Sequence, residues 1–519
     1  MNTPSGDSHT ATPRSGWRLA AVSVASAACL AMPAAAQAPA AQTQPVLVQF
    51  APAADATAGP STTDRGAPLR PFNFTFTPAA LAALQQPQGG QAAERACPGC
   101  PKRRPGVAIV EVLGINLLYN LMNQVIKPTE EKKYFRTSPS SWWENLKYGF
   151  EWDDNAFAVN QIGHPYQGSN YFNAGRSSGL SFWESAPLAA LGSATWEYFG
   201  ETHKPSVNDL INTTVGGIAI GEMLYRTGWL IRDTTKTGGA RLWSEILATA
   251  VDPITGMNRF ISGDAGKVSE KPAEFVPSRT AGDLEAGVLW RGDNTKAINS
   301  TGESYVQLNA SYGDAMGSQY RQPYDAFAVG IRLGGGSAIS EGLIRGRLYG
   351  RPFGKDKSSQ FLVFQAYDYV TNTAYEFGGQ SVFTAVASRF KQSGRNDIVT
   401  IAGGGPLLLG AFNSPYVFGQ DRYYDYGPGL VFAASAALRR DGFPIVRVRY
   451  EGVYLHVVSG TSGDHVAQTL RLEGLIPVRG RLRLGLAGDY VRRKVYYDFE
   501  DDQDDKYPQL RVFLAWVNK

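Results

Sequence analysis

"ESYVQLNASYGD", residues 303–314, decides the fold. Its even positions Val306, Leu308, Ala310 and Tyr312 are apolar. Its odd positions Tyr305, Gln307, Asn309 and Ser311 are polar or amphipathic. Side chains along a strand point alternately to opposite faces, so this pattern predicts a strand with one apolar and one polar face. The same period returns in "DAFAVGIRLGG" (325–335), where Phe327, Val329, Ile331 and Leu333 oppose Ala328, Gly330 and Arg332. In "RGRLRLGLAGDYVRR" (479–493), Leu482, Leu484 and Leu486 oppose Arg481, Arg483, Gly485 and Ala487.

Roughly twelve such segments, within about two, follow from alternation and turn signals after residue 281. "RRDGFP", "SGTSGD" and "FEDDQDDKYP" separate some of them. Segments of about 10 or more residues in an unbroken meander fit a membrane β-barrel, whose spans are typically about 9–11 residues, better than a secreted β-sandwich. The expected fold is therefore α+β: an antiparallel transmembrane β-barrel over 281–519, preceded by a helical domain over 106–252 and a connector over 253–280. The chain finishes "FLAWVNK", with Trp516 near the end rather than the terminal aromatic common in such barrels.

The polar parity carries Arg345, Arg347, Arg447, Arg449, Glu451, Arg471, Glu473, Arg481, Arg483 and Asp489. These are expected to line the lumen. Unpaired buried charge is costly, so the first expectation is an interior filled by ion pairs. A basic pore for anions is the alternative.

The N-terminus points to export. Arg14 and Arg18 precede an apolar run from Leu19 to about Met32, and Ala34–Ala36 suits signal cleavage, which gives a signal peptide over 1–36. The expected location is the cell outer membrane. Residues 37–105 are rich in Ala, Pro, Gln and Gly and are expected to be a disordered linker. It holds Cys97 and Cys100, whose spacing in a Pro/Gly tract suggests at most a local disulfide. A net charge of +4 over 519 residues gives no reason to expect nucleic acid.

In the helical region, Ser140 or Ser141 is expected to cap "SSWWENLKYGF", with Glu144 nearby. Segments 180–201 and 206–226 are expected to pair as a helical hairpin. Gly216, Gly217 and Gly221 would bare one helix face, opposite Ala190, Gly192 and Ala194. Glu184 and Glu197 leave too short an uncharged run for the roughly 20 residues of a membrane span, which places the hairpin outside lipid.

"WDDNAFAVNQIGHPYQGSNYFNAGRSSGLS" (152–181), "WEYFGE" (196–201) and "SVNDLINTTVGGIAIGE" (206–222) complete the pattern. Over about 140–230, the order Trp-Asp, His-Pro, Arg, Trp-Glu, Asp-Leu and Gly-x-x-x-Gly-Glu resembles the bacterial envelope family called domain of unknown function 3943. The resemblance implies an outer-envelope protein and no particular reaction.

Several chemical readings compete within this stretch. Gly175–Gly179 matches G-x-S-x-G around Ser177, but lacks the strand that a nucleophile elbow needs before it. His164, Glu197, His203, Asp209 and Glu222 offer metal-ligand chemistry, at spacings that match no standard motif. A compact irregular loop is the structural reading, with Arg176 clamping Glu184, Glu197 or Asp209 over a base of Trp152, Trp183 and Trp196. His164, Glu197 and Asp209 are the catalytic candidates. Arg176, Asn170, Tyr166, Asn212 and Glu222 are the binding candidates, with Tyr171 and Phe172 as further ring surfaces for a lipid or glycan. His164 is expected to be dispensable for folding. No metal or cofactor is expected. The expected partners are outer-membrane lipid, a lipid or glycan ligand and the outer-membrane assembly machinery. Two functions stay open: a barrel of structural, binding or transport role with a helical plug or cap, and an envelope-lipid or glycan enzyme centred on His164, Arg176 and Glu197.

Overall fold

The computed structural model describes residues 99–519, apart from 299–300, 318, 355–357, 393, 419–421 and 519. The stretch read as a signal peptide, nearly all of the expected linker and Cys97 lie outside the described residues. Cys100 is disulfide-bonded.

Twelve strands are present among the described residues: β1 Thr280–Arg291, β2 Glu303–Tyr312, β3 Phe327–Gly334, β4 Ile339–Phe353, β5 Ser359–Thr371, β6 Glu376–Lys391, β7 Asn396–Phe418, β8 Arg422–Arg440, β9 Phe443–His456, β10 Gly463–Arg479, β11 Leu482–Tyr497 and β12 Gln503–Asn518. Each pairs antiparallel with its sequence neighbour, and β1 pairs with β12 from Gly282 opposite Asn518 to Arg291 opposite Gln509. The sheet is a closed barrel, so no strand edge is left unpaired.

Parity sorts the two faces as alternation requires. Val306, Leu308, Ile331, Leu333, Leu430, Phe432, Leu484 and Leu486 are exposed on the outside. Gln307, Arg332, Glu473, Asp489 and Arg511 are buried on the opposite parity. Arg345 on β4 reaches Glu451 on β9 at 3.8 Å. These strands lie far apart in the barrel order, so the pair crosses the lumen and fixes which face is inward.

The lumen is neutralised locally. Arg345 bonds Asp368, Arg449 bonds Glu451 at 2.8 Å and Arg471 bonds Asp489 at 2.9 Å. Arg447 meets Glu473 at 3.3 Å, and Arg347 meets Asp325 at 2.7 Å. Arg511 lies between Glu285, Glu473 and Asp489. Ala315 and Met316, from the β2–β3 loop, pack on the inward cluster of Leu362, Phe364 and Phe383. Arg481 departs from the expectation. It sits in the β10–β11 turn, exposed, and donates to Asn518. Arg483 donates to the Gly480 carbonyl instead of to a carboxylate.

The helices are α1 Pro105–Ile126, α2 Pro139–Tyr148, α3 His164–Ser177, α4 Phe182–Phe199, α5 Val207–Ile211, α6 Gly217–Ile231, α7 Gly238–Val251 and α8 Pro253–Ser262. The last of these occupies the start of the stretch read as connector. Ser138, not Ser140 or Ser141, caps α2, and Ser141 fills the place expected of Glu144 in a reciprocal capping box. Ser206 caps α5 through the Asp209 amide, as its spacing predicts.

The hairpin expected between 180–201 and 206–226 forms directly only over its first part, where Ser193 donates to the Asp209 carbonyl and Glu197 accepts the Ser206 amide. Helix α3, read as a loop, lies between α4 and α6. A Cβ on Gly217 would stand 2.6 Å from the Gly168 Cα, and one on Gly221 would stand 2.8 Å from the Phe172 ring. Gly192 of α4 faces the Tyr171 ring. The small faces are therefore used, but each meets α3.

The helical domain is neither plug nor mouth cap. It packs on the outside of the barrel wall. Tyr367 and Tyr369 share the outward parity of exposed Phe361, and Tyr424 and Tyr426 share that of Leu430 and Phe432. All four are buried in one cluster with Phe157, Phe172 and Phe182. A register shift between Leu407 and Gly410 turns Leu409 outward into that cluster, while Leu407 packs with inward Phe377 and Phe412. Tyr312 lies on the predicted outward parity yet is buried, because Phe327 stacks on it at 4.9 Å and Arg226 of α6 covers the ring.

Gly168 generates a test of this packing. A methyl there would fall 1.8 Å from the Thr213 carbonyl oxygen. Gly168→Ala should cost about 1–3 kcal/mol by overpacking. The helical domain should become protease-sensitive while the barrel keeps its unheated gel mobility; unchanged protease resistance would contradict the contact.

Candidate functional site

Gly, Asn and Ser make residues 164–177 a poor helix by propensity. The helix forms because Pro165 suits its first turn and because neighbouring elements satisfy its polar side chains. Asn170 donates to Tyr119 Oη at 2.9 Å, Gln167 to Tyr171 Oη at 2.5 Å and Asn173 to Asp252 Oδ1 at 3.2 Å. Tyr171 in turn donates to Asn116. Every residue of α3 is buried except the partly exposed Tyr166.

Arg176 is a clamp, but its partner is Glu222 of α6. Its Nε–Oε2 distance is 2.8 Å, its Nη2–Oε1 distance is 3.3 Å, and its Nη1 donates to the Leu180 carbonyl at 2.6 Å. The guanidinium lies 4.6 Å above the Tyr225 ring centroid. Arg226 bonds the same carboxylate at 2.7 Å. None of the three anions expected for Arg176 is its partner. Glu184 is taken by Arg103 and by the α4 cap, Glu197 accepts the Ser206 amide, and Asp209 faces His164. The tryptophan base is incomplete too: Trp152 packs on Tyr426 and Trp196 on Tyr119, while Trp183 is exposed.

The three catalytic candidates come together. His164, Glu197 and Asp209 each offer an atom within 4.8 Å of the others, and all three are buried. His164 Nε2 lies 3.5 Å from Asp209 Oδ2, and Nδ1 lies 3.4 Å from Thr213 Oγ1. A π-helical turn, Val159–Gly163, leads directly into His164. A second, Asn212–Gly216, follows α5, which carries Asp209. Such turns break the helical register and are frequent at functional sites. The His164 ring is buried in the domain, where the sequence reading sets it among turn residues with no packing role.

The geometry brings acid and base together: His164 faces Asp209 across 3.5 Å, and Glu197 lies in the same buried cluster, an arrangement suited to proton transfer.

Other candidates stand apart. His203 lies against the Tyr134 ring at 4.2 Å, and Glu222 belongs to the arginine clamp. Ser177 lies in α3, accepting from Asn258 and donating to the Ala174 carbonyl, so it is no elbow nucleophile. Asn212 accepts from Gln380 on the outer wall at 3.1 Å.

The sequence reading missed the seam beside the cluster. Asp153 accepts from Asn160 and Asn208 at 2.7 and 2.9 Å. Asn160 donates to Tyr424 Oη at 2.9 Å, Gln161 donates to Tyr426 Oη at 3.2 Å, and Tyr367 Oη donates to the Gln161 carbonyl. Arg422 reaches the Asp153 carbonyl at 3.1 Å. The available signal was the run of tyrosines on outward parity at one end of β5 and β8.

The fold and site define a closed, antiparallel twelve-strand barrel protein with a helical domain docked on its wall. Residues 149–254 match the family described as a domain of unknown function, DUF3943. No curated protein matches this sequence. Among solved structures it is similar to OmpTdeltaL8, a loop-deletion mutant of an outer membrane protein of Vibrio cholerae, at 12% identity, covering 46% of this chain and 98% of that one, with a TM-score of 0.21. It is also similar to an anion-selective porin from Comamonas acidovorans, at 10% identity, 46% and 99% coverage and a TM-score of 0.18. A third is the CymD monoaromatic hydrocarbon channel, at 6% identity, 47% and 90% coverage and a TM-score of 0.22. At those scores, the barrel rests on its own strand pairing.

The clamp yields a graded prediction. Glu222→Ala strands two buried guanidiniums and should cost about 3–5 kcal/mol or more. Arg176→Ala leaves Glu222 with Arg226 and should cost less. Protease sensitivity and abundance in membranes rank the two variants; the reverse order would contradict the geometry.

Proposed function

We propose that this chain is an outer-membrane β-barrel protein that acts on a membrane lipid. The reading places its helical domain in the bilayer against the outer wall, with His164, Glu197 and Asp209 as the reactive centre. The observation that carries it is the docking of the helices on the outward face of the strands. A belt of outward Leu, Val and Phe suits lipid, and helices packed on the same wall share that environment.

The surface of the helical domain supports this. Val125 of α1 is 74% exposed, Trp243 of α7 64% and Ile261 of α8 78%. Leu113, Leu117 and Leu121 are exposed along α1, and Leu242 and Leu247 along α7. Contiguous apolar surface of this kind marks a membrane or partner contact. Close glycine packing and buried, mutually bonded polar groups also suit helices that gain little from hydrophobic association in lipid. On this reading the hairpin lies within lipid, contrary to the expectation from its short uncharged run.

Ionisable residues held in such a domain are expensive and mark function. His164 would take a proton from a hydroxyl or water, and the neighbouring carboxyls would return one to a leaving oxygen. The barrel is then the anchor. Its paired lumen charges oppose a basic pore, since each strand-borne arginine expected there, Arg483 apart, has a carboxylate partner. Export by the N-terminal signal and insertion by the outer-membrane assembly machinery belong to the same proposal.

The test is lipid mass spectrometry of a deletion strain complemented with wild type or with Asp209→Asn. A lipid species should be gained or lost in the deletion, restored by wild type and not by the variant. An unchanged lipid profile in all three strains contradicts the enzyme reading. The plain barrel reading then stands, and steady ion conductance in planar bilayers would instead show an open pore.

A further inference from the structure

We propose that His164, Glu197 and Asp209 hold a divalent transition-metal ion. One imidazole and two carboxylates form a donor set suited to zinc, manganese or iron, and their ligand atoms already lie within 4.8 Å of one another.

Two further observations point to a cation. Glu197 is 0% exposed; its Oε2 accepts the Ser206 amide at 2.7 Å, while its Oε1 takes no hydrogen bond. A buried carboxylate oxygen without a partner costs free energy unless something positive meets it. The second is the contrast with other buried acids of the same domain. Glu222 bonds Arg176 and Arg226, and Glu245 bonds Arg232, Arg241 and Arg259. Among the described residues, no arginine or lysine forms an ion pair with Glu197 or Asp209; the single pairing there is His164 with Asp209. The domain compensates buried carboxylates with guanidinium elsewhere and leaves this cluster to another cation.

Three protein ligands leave a coordination position for water or a substrate oxygen, the arrangement of catalytic rather than structural sites. The inference rests on the lipid reading only for the occupant of that position, a lipid ester or phosphate oxygen; with the ion bound, His164, Glu197 and Asp209 would be its ligands, and the ion in place of His164 would activate the water or hydroxyl.

The full chain, purified from membranes in detergent, should contain one divalent transition-metal ion per molecule by elemental mass spectrometry. Glu197→Gln and Asp209→Asn should bind it at least about tenfold more weakly while keeping the gel mobility of a folded barrel. Chelator-stripped wild type should take up Co2+ with visible absorption bands, and Zn2+ should displace it. Folded wild-type protein that neither carries a stoichiometric metal nor takes up Co2+ overturns the proposal. Folded variants that both keep the metal overturn the ligand assignment. If the variants fail the mobility test, the Co2+ result on wild type decides. Altered lipids without metal would leave the lipid reading standing and remove this one; metal with unaltered lipids would do the reverse.

Discussion

The seam of outward tyrosines is the constraint on which the rest of the molecule depends. Tyr367, Tyr369, Tyr424 and Tyr426 project from the barrel's outer face and are buried by the helical domain. Three of them exchange hydrogen bonds with Asn160 and Gln161. These bonds satisfy phenol oxygens that would otherwise be buried without partners. The same segment carries the π-helical turn that enters His164, so the wall sets the position of the candidate site. Barrel and helices are one structure for this reason, and on the proposed reading the barrel serves as their scaffold.

The inside of the barrel completes that picture. Its arginines and carboxylates neutralise one another over short distances, and a loop closes on the inward aromatics. A cavity lined by Arg345, Asp368, Glu451 and Arg471 remains in the lumen, but those charges are paired; on the proposed reading the chemistry faces the outer wall. The helical domain resolves its own buried charge in two ways. Around Glu222 and Glu245 it uses arginine; around Glu197 and Asp209 it uses one histidine and no guanidinium.

Much of the barrel was legible in the sequence. Val306 and Leu308 face out and Gln307 faces in because a period of two leaves no other choice once the strands pair. Parity says which side a residue faces, but not what covers that side, so the outward tyrosines of β5 and β8 marked an unusual patch without saying that helices hide it. Helix α3 was illegible because Asn, Ser and Gly favour turns locally, and only lateral partners such as Tyr119 and Asp252 make the helix affordable. His164, Glu197 and Asp209 stood out as residue types. Their convergence depends on α3 lying between α4 and α6, which spacing along the chain does not reveal. Arg176 was readable as a clamp. Its partner was not, since Glu184 looks equally available until Arg103 and the α4 cap claim it.

Docking on the outer wall is the claim from which the others follow, and a paired-cysteine cross-link tests it most directly. A Cβ at Gly378 on β6 would touch the Gln161 side chain, 2.7 Å from its Cγ. In membranes, Gln161→Cys combined with Gly378→Cys should form a disulfide, identified by mass spectrometry of the joined peptides. Gln161→Cys combined with Arg345→Cys, a lumen position, should not. A cross-link to position 345 in a heat-modifiable barrel, with none to position 378, would put the helices inside the lumen and contradict the account.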